Sequence, residues 1–246
     1  MLDYIVEGPI GYFVAPELAA YPFVRHGFLT KRGGLADGPF SGLNVSSRLG
    51  NRDCVRQNWE LLATALRIPL SRFVLARQVH GNKVLVVDGD ARVAAAGENG
   101  EFDALITDRP GLALAIRTAD CVPVFLLDPC RRVIGVAHAG WRGTVANIVG
   151  AVVDRMKRRY GSRPGDLLAA VGPSIGACCY RVDRPVYEAV HSERHRSAWF
   201  RKNGAGNWLF DLPLANRMQL VEAGVPEEGI VTAETCTGCR ADLFFS

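Results

Sequence analysis

This sequence has no apolar run of the roughly 20 residues that a membrane-spanning helix needs. Asp3, Glu7, Pro9, Pro16 and Glu17 interrupt the N-terminal stretch, which lacks both the basic start and the unbroken apolar core of an export signal. Histidine is scarce, at five residues in 246, and no two form a His-x-His pair. That counts against a multicopper centre, which needs many closely placed imidazoles. Cysteine is present but odd in number, at seven. With no export signal, a disulfide framework is not expected, and the reading is a cytoplasmic protein with reduced thiols. The only Cys-x-x-Cys is Cys236 to Cys239, with no second to complete a four-cysteine zinc motif, so it reads as structural. The adjacent Cys178 and Cys179 read as buried thiols.

Concentrated charge is also missing. The net charge of +4 is mild and scattered, which gives no nucleic-acid surface but suits a small anionic substrate. No internal repeat or linker-like stretch divides the chain, so residues 1–246 are expected to form one domain. What the chain does have is core material: 48% of its residues are hydrophobic, ample for a packed interior.

The richest stretch is 117–143, RTADCVPVFLLDPCRRVIGVAHAGWRG. Val122–Leu127 and Val133–Ala137 are short apolar runs separated by the turn residues Asp128 and Pro129, the pattern of two buried strands. Cys121 heads the first and His138 ends the second. Antiparallel pairing would bring the two side chains to one sheet edge, beside Arg117, Asp120 and Arg142. So much charge in one place is not what a core needs. The glycines of Ala139–Gly143 permit close backbone approach to a ligand.

Elsewhere, residues 2–30 predict short strands ending near Phe28 and Leu29, and 31–45 a turn-rich loop. Arg52–Leu66 predicts an amphipathic helix stopped by Pro69. Residues 73–87 predict two strands folded into a hairpin at Gly81-Asn82, with His80 at a strand end. Residues 88–102 read as a loop, and 103–107 and 112–116 as two more strands. Thr144–Tyr160 predicts the longest buried-face helix. Leu167–Val171 and Ile230–Ala233 predict strands, and 185–191 and 211–222 helices, with a poorly patterned segment between those helices.

His80, Cys121 and His138 offer two imidazoles and a thiolate, a donor set that suits zinc with one position left open. They lie 41 residues (80 to 121) and 17 residues (121 to 138) apart, far wider than a local zinc motif. A Cys121 nucleophile with a histidine base remains an alternative from the residue types alone.

Several segments carry a resemblance: RQVHG (77–81), FDALITDRPGLAL (102–114), TADCVPVFLLD (118–128), HAGWRG (138–143), GPSIGACCY (172–180) and CTGCRADLFFS (236–246). The chain resembles the YfiH-like family, whose members are described as laccase-domain or polyphenol oxidase proteins and as purine nucleoside phosphorylases. The resemblance implies a single α+β domain with mixed β-sheets flanked by helices, the cytotoxic necrotizing factor/YfiH-like fold. It also implies zinc on His80, Cys121 and His138. The implied activities are phosphorolysis of adenosine, inosine and methylthioadenosine, with adenosine deamination. Copper-dependent phenol oxidation, editing of cell-wall peptide precursors and nucleoside binding without turnover are the alternatives. On this reading Asp120 is the proton carrier, and Arg142, Gly140, Gly143, Asn44 and Arg48 are candidates for phosphate or substrate binding. The partners would be nucleosides and phosphate, with no nucleic acid or membrane, and the state a monomer or homodimer. The chain departs from its relatives in having Asn58-Trp59 where many have Asn-Arg, and Gly176-Ala177 where a second Gly-Pro is usual.

Overall fold

A computed structural model of the chain describes residues 1–46, 49–88 and 100–246. Six strands form the principal sheet: β1 (Val84–Val86), β2 (Ala104–Thr107), β3 (Val122–Asp128), β4 (Val133–Ala139), β5 (Leu168–Val171) and β6 (Ile230–Thr232), in the spatial order β6-β5-β3-β4-β2-β1. The two outer pairs, β1 with β2 and β5 with β6, are parallel; the inner pairings are antiparallel. The sheet is therefore mixed, as expected. Smaller sheets join 3–7, 10–14 and 28–29 at the N-terminal end, and 181–183, 200–202 and 207–210 near the C-terminal end.

The central strands read as unbroken apolar runs because both of their faces are covered. Val122, Val124 and Leu126 pack with α3 (Ile148–Tyr160) and α4 (Leu212–Glu222), whereas Leu127 packs on the other face with Leu18 and Phe28. Phe28 stacks on Phe125 at 4.3 Å between ring centroids. On β4, a side chain added at Gly135 would come within 3.3 Å of Val152, so glycine lets α3 lie close to the sheet. At the N-terminal end, α1 (Arg52–Leu66) packs Leu62 and Ala63 against Ile10, Tyr12 and Leu43.

Four expectations need correction. The helix α1 stops before Pro69, because Arg67 takes a left-handed cap (φ 53°). No hairpin forms at Gly81-Asn82: Phe73–Val74 pairs in parallel with Ala113–Leu114, while β1 joins the principal sheet. The amide groups of the turn bind a carboxylate instead, as set out below. The long helix is in fact two, α2 (Trp141–Val145) and α3, separated by Asn147 in the left-handed conformation (φ 57°). The apolar period runs on through this break, so the pattern alone hides it. The poorly patterned segment 192–208 holds a helix, Glu193–Trp199, followed by strand 200–202 and the start of strand 207–210. The loop expected at 88–102 falls mostly on 89–99, outside the described residues.

Asn147 both occupies that strained conformation and caps α3, accepting a hydrogen bond from Gly150 N–H at 3.2 Å. Asn147→Ala is expected to lower stability by about 2 kcal/mol, combining a lost cap with a left-handed alanine. Asn147→Gly should lose about half of that, because glycine carries no left-handed penalty. Urea denaturation of the two variants measures the difference.

Candidate metal centre

In the β3–β4 ladder Val122 faces Ala139 and Pro123 faces His138. Cys121 stands one residue before β3. Alternation puts Cys121 and His138 on the same face, opposite α3, and the expected meeting at one sheet edge is observed. His80 reaches the same point from the crossing segment 75–83. The donor atoms of His80, Cys121 and His138 all lie within 4.8 Å of one another. The two imidazoles meet edge to face, 4.8 Å between centroids.

Two devices hold the crossing segment in place. Gln78 brackets Arg117: its side-chain amide donates to Arg117 C=O at 2.8 Å, and its carbonyl accepts from Arg117 N–H at 2.8 Å. The second device is Asp103, fully buried just ahead of β2. Its carboxylate accepts the backbone N–H groups of Val79 (3.2 Å), His80 (2.9 Å) and Gly81 (2.7 Å). Three successive amides converging on one anion form a nest, which accounts for the left-handed backbone of His80 (φ 59°). The same carboxylate lies 2.8 Å from His138 Nδ1. A carboxylate can only accept, so Nδ1 carries the proton and Nε2 presents its lone pair to the cluster. Burial disfavours the ionised form of Asp103, but the hydrogen bonds from His138, Gly81 and Val79 outweigh it and hold the carboxyl below its usual range. Sequence reading missed Asp103, since an aspartate at a strand entry looks like a turn residue.

Cys121 is half-buried. Burial, and then the charges of Asp120 and Asp103, push its thiol up to about 11. Reactive cysteines have the opposite environment, with nearby cations that favour the thiolate. A metal ion would supply that missing positive charge. The surroundings therefore favour a ligand over a free nucleophile.

Beside the cluster, Asp120 Oδ1 accepts from the Thr237 hydroxyl at 2.7 Å, and its backbone carbonyl accepts from Ile175 N–H at 2.9 Å. Tyr180, also missed from the sequence, is pushed up to about 12 by burial and by the charges of Cys121 and Asp120, against the pull of Arg142. It is a neutral hydroxyl at physiological pH. Arg142 is exposed, with its guanidinium 4.2 Å from the Trp141 ring centroid. Gly143 lies against the crossing segment: a side chain there would meet Gly81 C=O at 2.9 Å. Asn44 is buried and holds its own loop, donating to Leu49 C=O and accepting from Ser46 N–H. Arg48 lies outside the described residues. The departure at 58–59 is structural: Asn58 is fully buried, donating to Gly42 C=O and Asn44 C=O and accepting from Leu35 N–H.

The donor set fits zinc. A tetrahedral ion with bonds of about 2.0–2.3 Å places its ligand atoms roughly 3.3–3.8 Å apart. Among the described residues, histidines gather into a possible metal-ligand group only here. His26 accepts from Ala15 N–H at 2.8 Å, and His195 lies 3.0 Å from Glu222. Gly140 provides the room, because a side chain there would fall 2.8 Å from the His80 ring and 3.0 Å from Cys121 Sγ. Its backbone (φ −72°) tolerates any residue. Gly140→Ala is therefore expected to keep the fold and weaken metal binding by about 10–100-fold, as loss of a supporting contact does. Zinc titration alongside circular dichroism tests this.

Two imidazoles and a thiol, with one ring oriented by a buried carboxylate, at the edge of a mixed α+β sheet define a candidate metalloenzyme. The chain belongs to the family described as multi-copper polyphenol oxidoreductase laccase, whose profile matches residues 25–246. It is 40% identical over 228 residues to purine nucleoside phosphorylase YlmD of Geobacillus stearothermophilus, covering 89% of this chain and 83% of that protein. It is 37% identical to adenosine deaminase RL5 from an unknown prokaryotic organism, covering 89% of this chain and 86% of that one. The crystal structure of the Bacillus licheniformis hypothetical protein YfiH superposes with a TM-score of 0.92 at 35% identity, covering 99% of this chain and 92% of that one.

Proposed function

We propose that the protein is a zinc-dependent purine nucleoside phosphorylase, acting on adenosine, inosine and methylthioadenosine, that also deaminates adenosine. The observation that carries this reading is the convergence of His80, Cys121 and His138, beside Asp120 and Tyr180, in a chain related to enzymes named for both activities. Zinc held by the three side chains would supply Lewis acidity at its remaining position. The work of the chain's own groups follows from their placement. Asp103 fixes both histidine segments and the His138 tautomer. Asp120, held by Thr237, is assigned proton transfer to the leaving group. Tyr180 brings a neutral O–H donor to the same region. Arg142 and the Gly140–Gly143 backbone are assigned the phosphate, with Asn44 and Arg48 as further candidates. The site would work in the cytoplasm, in a monomer or homodimer, on free nucleosides and phosphate.

The description of the family favours copper and phenols as a second reading. The histidine supply speaks against it, since the described residues gather imidazoles only once. Product analysis with adenosine, with and without phosphate, separates the readings when metal content is measured on the same sample. Free adenine and ribose 1-phosphate formed only with phosphate, together with inosine in either case, is the expected result. A zinc-loaded protein with no turnover would overturn it in favour of peptide hydrolysis or a binding role. Oxygen uptake on phenols with bound copper would establish the oxidase.

A further inference from the structure

Away from the three-donor centre, a second group of ligands comes together from two turns. Cys178 and Cys179 lie on the turn after β5, and Cys236 and Cys239 on the turn after β6. Two expectations fail here. Cys178 and Cys179 are exposed thiols, and the single Cys-x-x-Cys has a partner after all, an adjacent cysteine pair 57 residues upstream (179 to 236).

All four sulfur atoms lie within 4.8 Å of one another. Cys239 Sγ stands 3.5 Å from Cys178 Sγ and also 3.5 Å from Cys179 Sγ. A disulfide would single out one partner at about 2.0 Å. Equal spacing about a common point is instead what a shared centre produces, because four thiolates on a tetrahedral zinc at about 2.3 Å lie roughly 3.8 Å apart. The surroundings are built to match. Two glycines leave space for the sulfurs: a side chain at Gly238 would fall 3.3 Å from Cys179 Sγ, and one at Gly176 would fall 3.4 Å from Cys178 Sγ. Gly176 N–H donates to Cys236 Sγ at 3.2 Å, a contact that stabilises sulfur carrying negative charge. The two turns are also joined by backbone, through Thr237 N–H to Ser174 C=O at 3.0 Å.

We propose that Cys178, Cys179, Cys236 and Cys239 form a tetrathiolate site for a second, structural zinc ion. Four thiolates leave no open position, so the ion has no chemistry to perform. Its effect is to lock the turn after β5 to the C-terminal segment. Thr237, between two of the ligands, holds Asp120, so the lock also steadies the residue next to Cys121.

The test uses the full chain purified under reducing conditions, in its natural form and as Cys121→Ala. The natural chain should hold two zinc equivalents and the variant one. X-ray absorption at the zinc edge of the variant should show four sulfur neighbours and no imidazole. Cobalt loaded into the variant should give strong thiolate-to-metal charge-transfer bands. Chelation of that remaining ion should lower the melting temperature, and Cys239→Ser should bind it at least tenfold more weakly. A variant without metal, whose four cysteines react at once with a thiol reagent or prove to be joined in disulfides, would overturn the proposal. So would a retained zinc with nitrogen neighbours. The sulfur count on Cys121→Ala needs no change to the cluster, so the result stands even if Cys239→Ser fails to fold.

Discussion

Cys121→Ala should lose one metal equivalent, and with it more than about 100-fold in turnover of adenosine by either route. The floor follows from hierarchy: loss of a partner behind a ligand already costs roughly 10–100-fold, so loss of the ligand itself must cost more. The fold should survive, because the β3–β4 ladder begins at Val122 and removing one half-buried sulfur leaves it intact. Cys121→Ser should fall between, since a hydroxyl is a poorer zinc ligand than a thiolate. Metal analysis, initial rates and a thermal melt on each variant separate loss of the centre from loss of structure. An active Cys121→Ala protein with unchanged metal content would show that chemistry takes place elsewhere.

Asp103→Asn is the second large effect, and it acts without touching a ligand atom. Asp103 Oδ2 accepts from Val79 and Gly81, and Oδ1 accepts from His80 and lies against His138. An amide would place an NH2 group where one of those oxygens receives hydrogen bonds. Two or more buried donors would then go unpaired, at about 1–3 kcal/mol each. We expect roughly 3 kcal/mol of lost stability and a further 10–100-fold in metal affinity. The pH dependence has a definite sign. The carboxyl is held below its usual range, so its stabilisation is complete above the unfolded value, about 3.9, and fades as pH falls through the folded value. Metal-free natural protein should therefore lose stability on acidification below about pH 4, and Asp103→Asn should show a flatter profile. Urea midpoints across that interval decide it, and parallel profiles would remove Asp103 from its central place.

The sheet edge was legible because its signals are local. Two apolar runs around Asp128-Pro129 give strands, and strand alternation then places Cys121 and His138 together without further knowledge. His80 was not reachable that way; it entered through resemblance. The hairpin reading of Gly81-Asn82 failed for the same reason that Asp103 was missed. Turn residues announce themselves within four positions, but the carboxylate that claims their amides is 22 residues away (81 to 103). The four-cysteine group was hidden because its halves sit on turns that only the parallel pairing of β5 and β6 sets side by side. In each case the lost information was long-range, and it was carried by polar contacts that leave no periodic trace.

The Asp103 nest also sets an order of events in folding. Segments 79–81 and 138 have no direct reason to approach one another; each binds the same carboxylate, and that carboxylate is delivered by β2 docking against β4. The His80 loop thus cannot take its left-handed turn until the strand pair exists. The denatured chain holds its donors on distant segments and offers no compact chelate for zinc to seed. Ion capture is a last event, available only to chains that have already found the right topology, and it rewards them by mass action with about 1.4 kcal/mol for each tenfold excess over the dissociation constant.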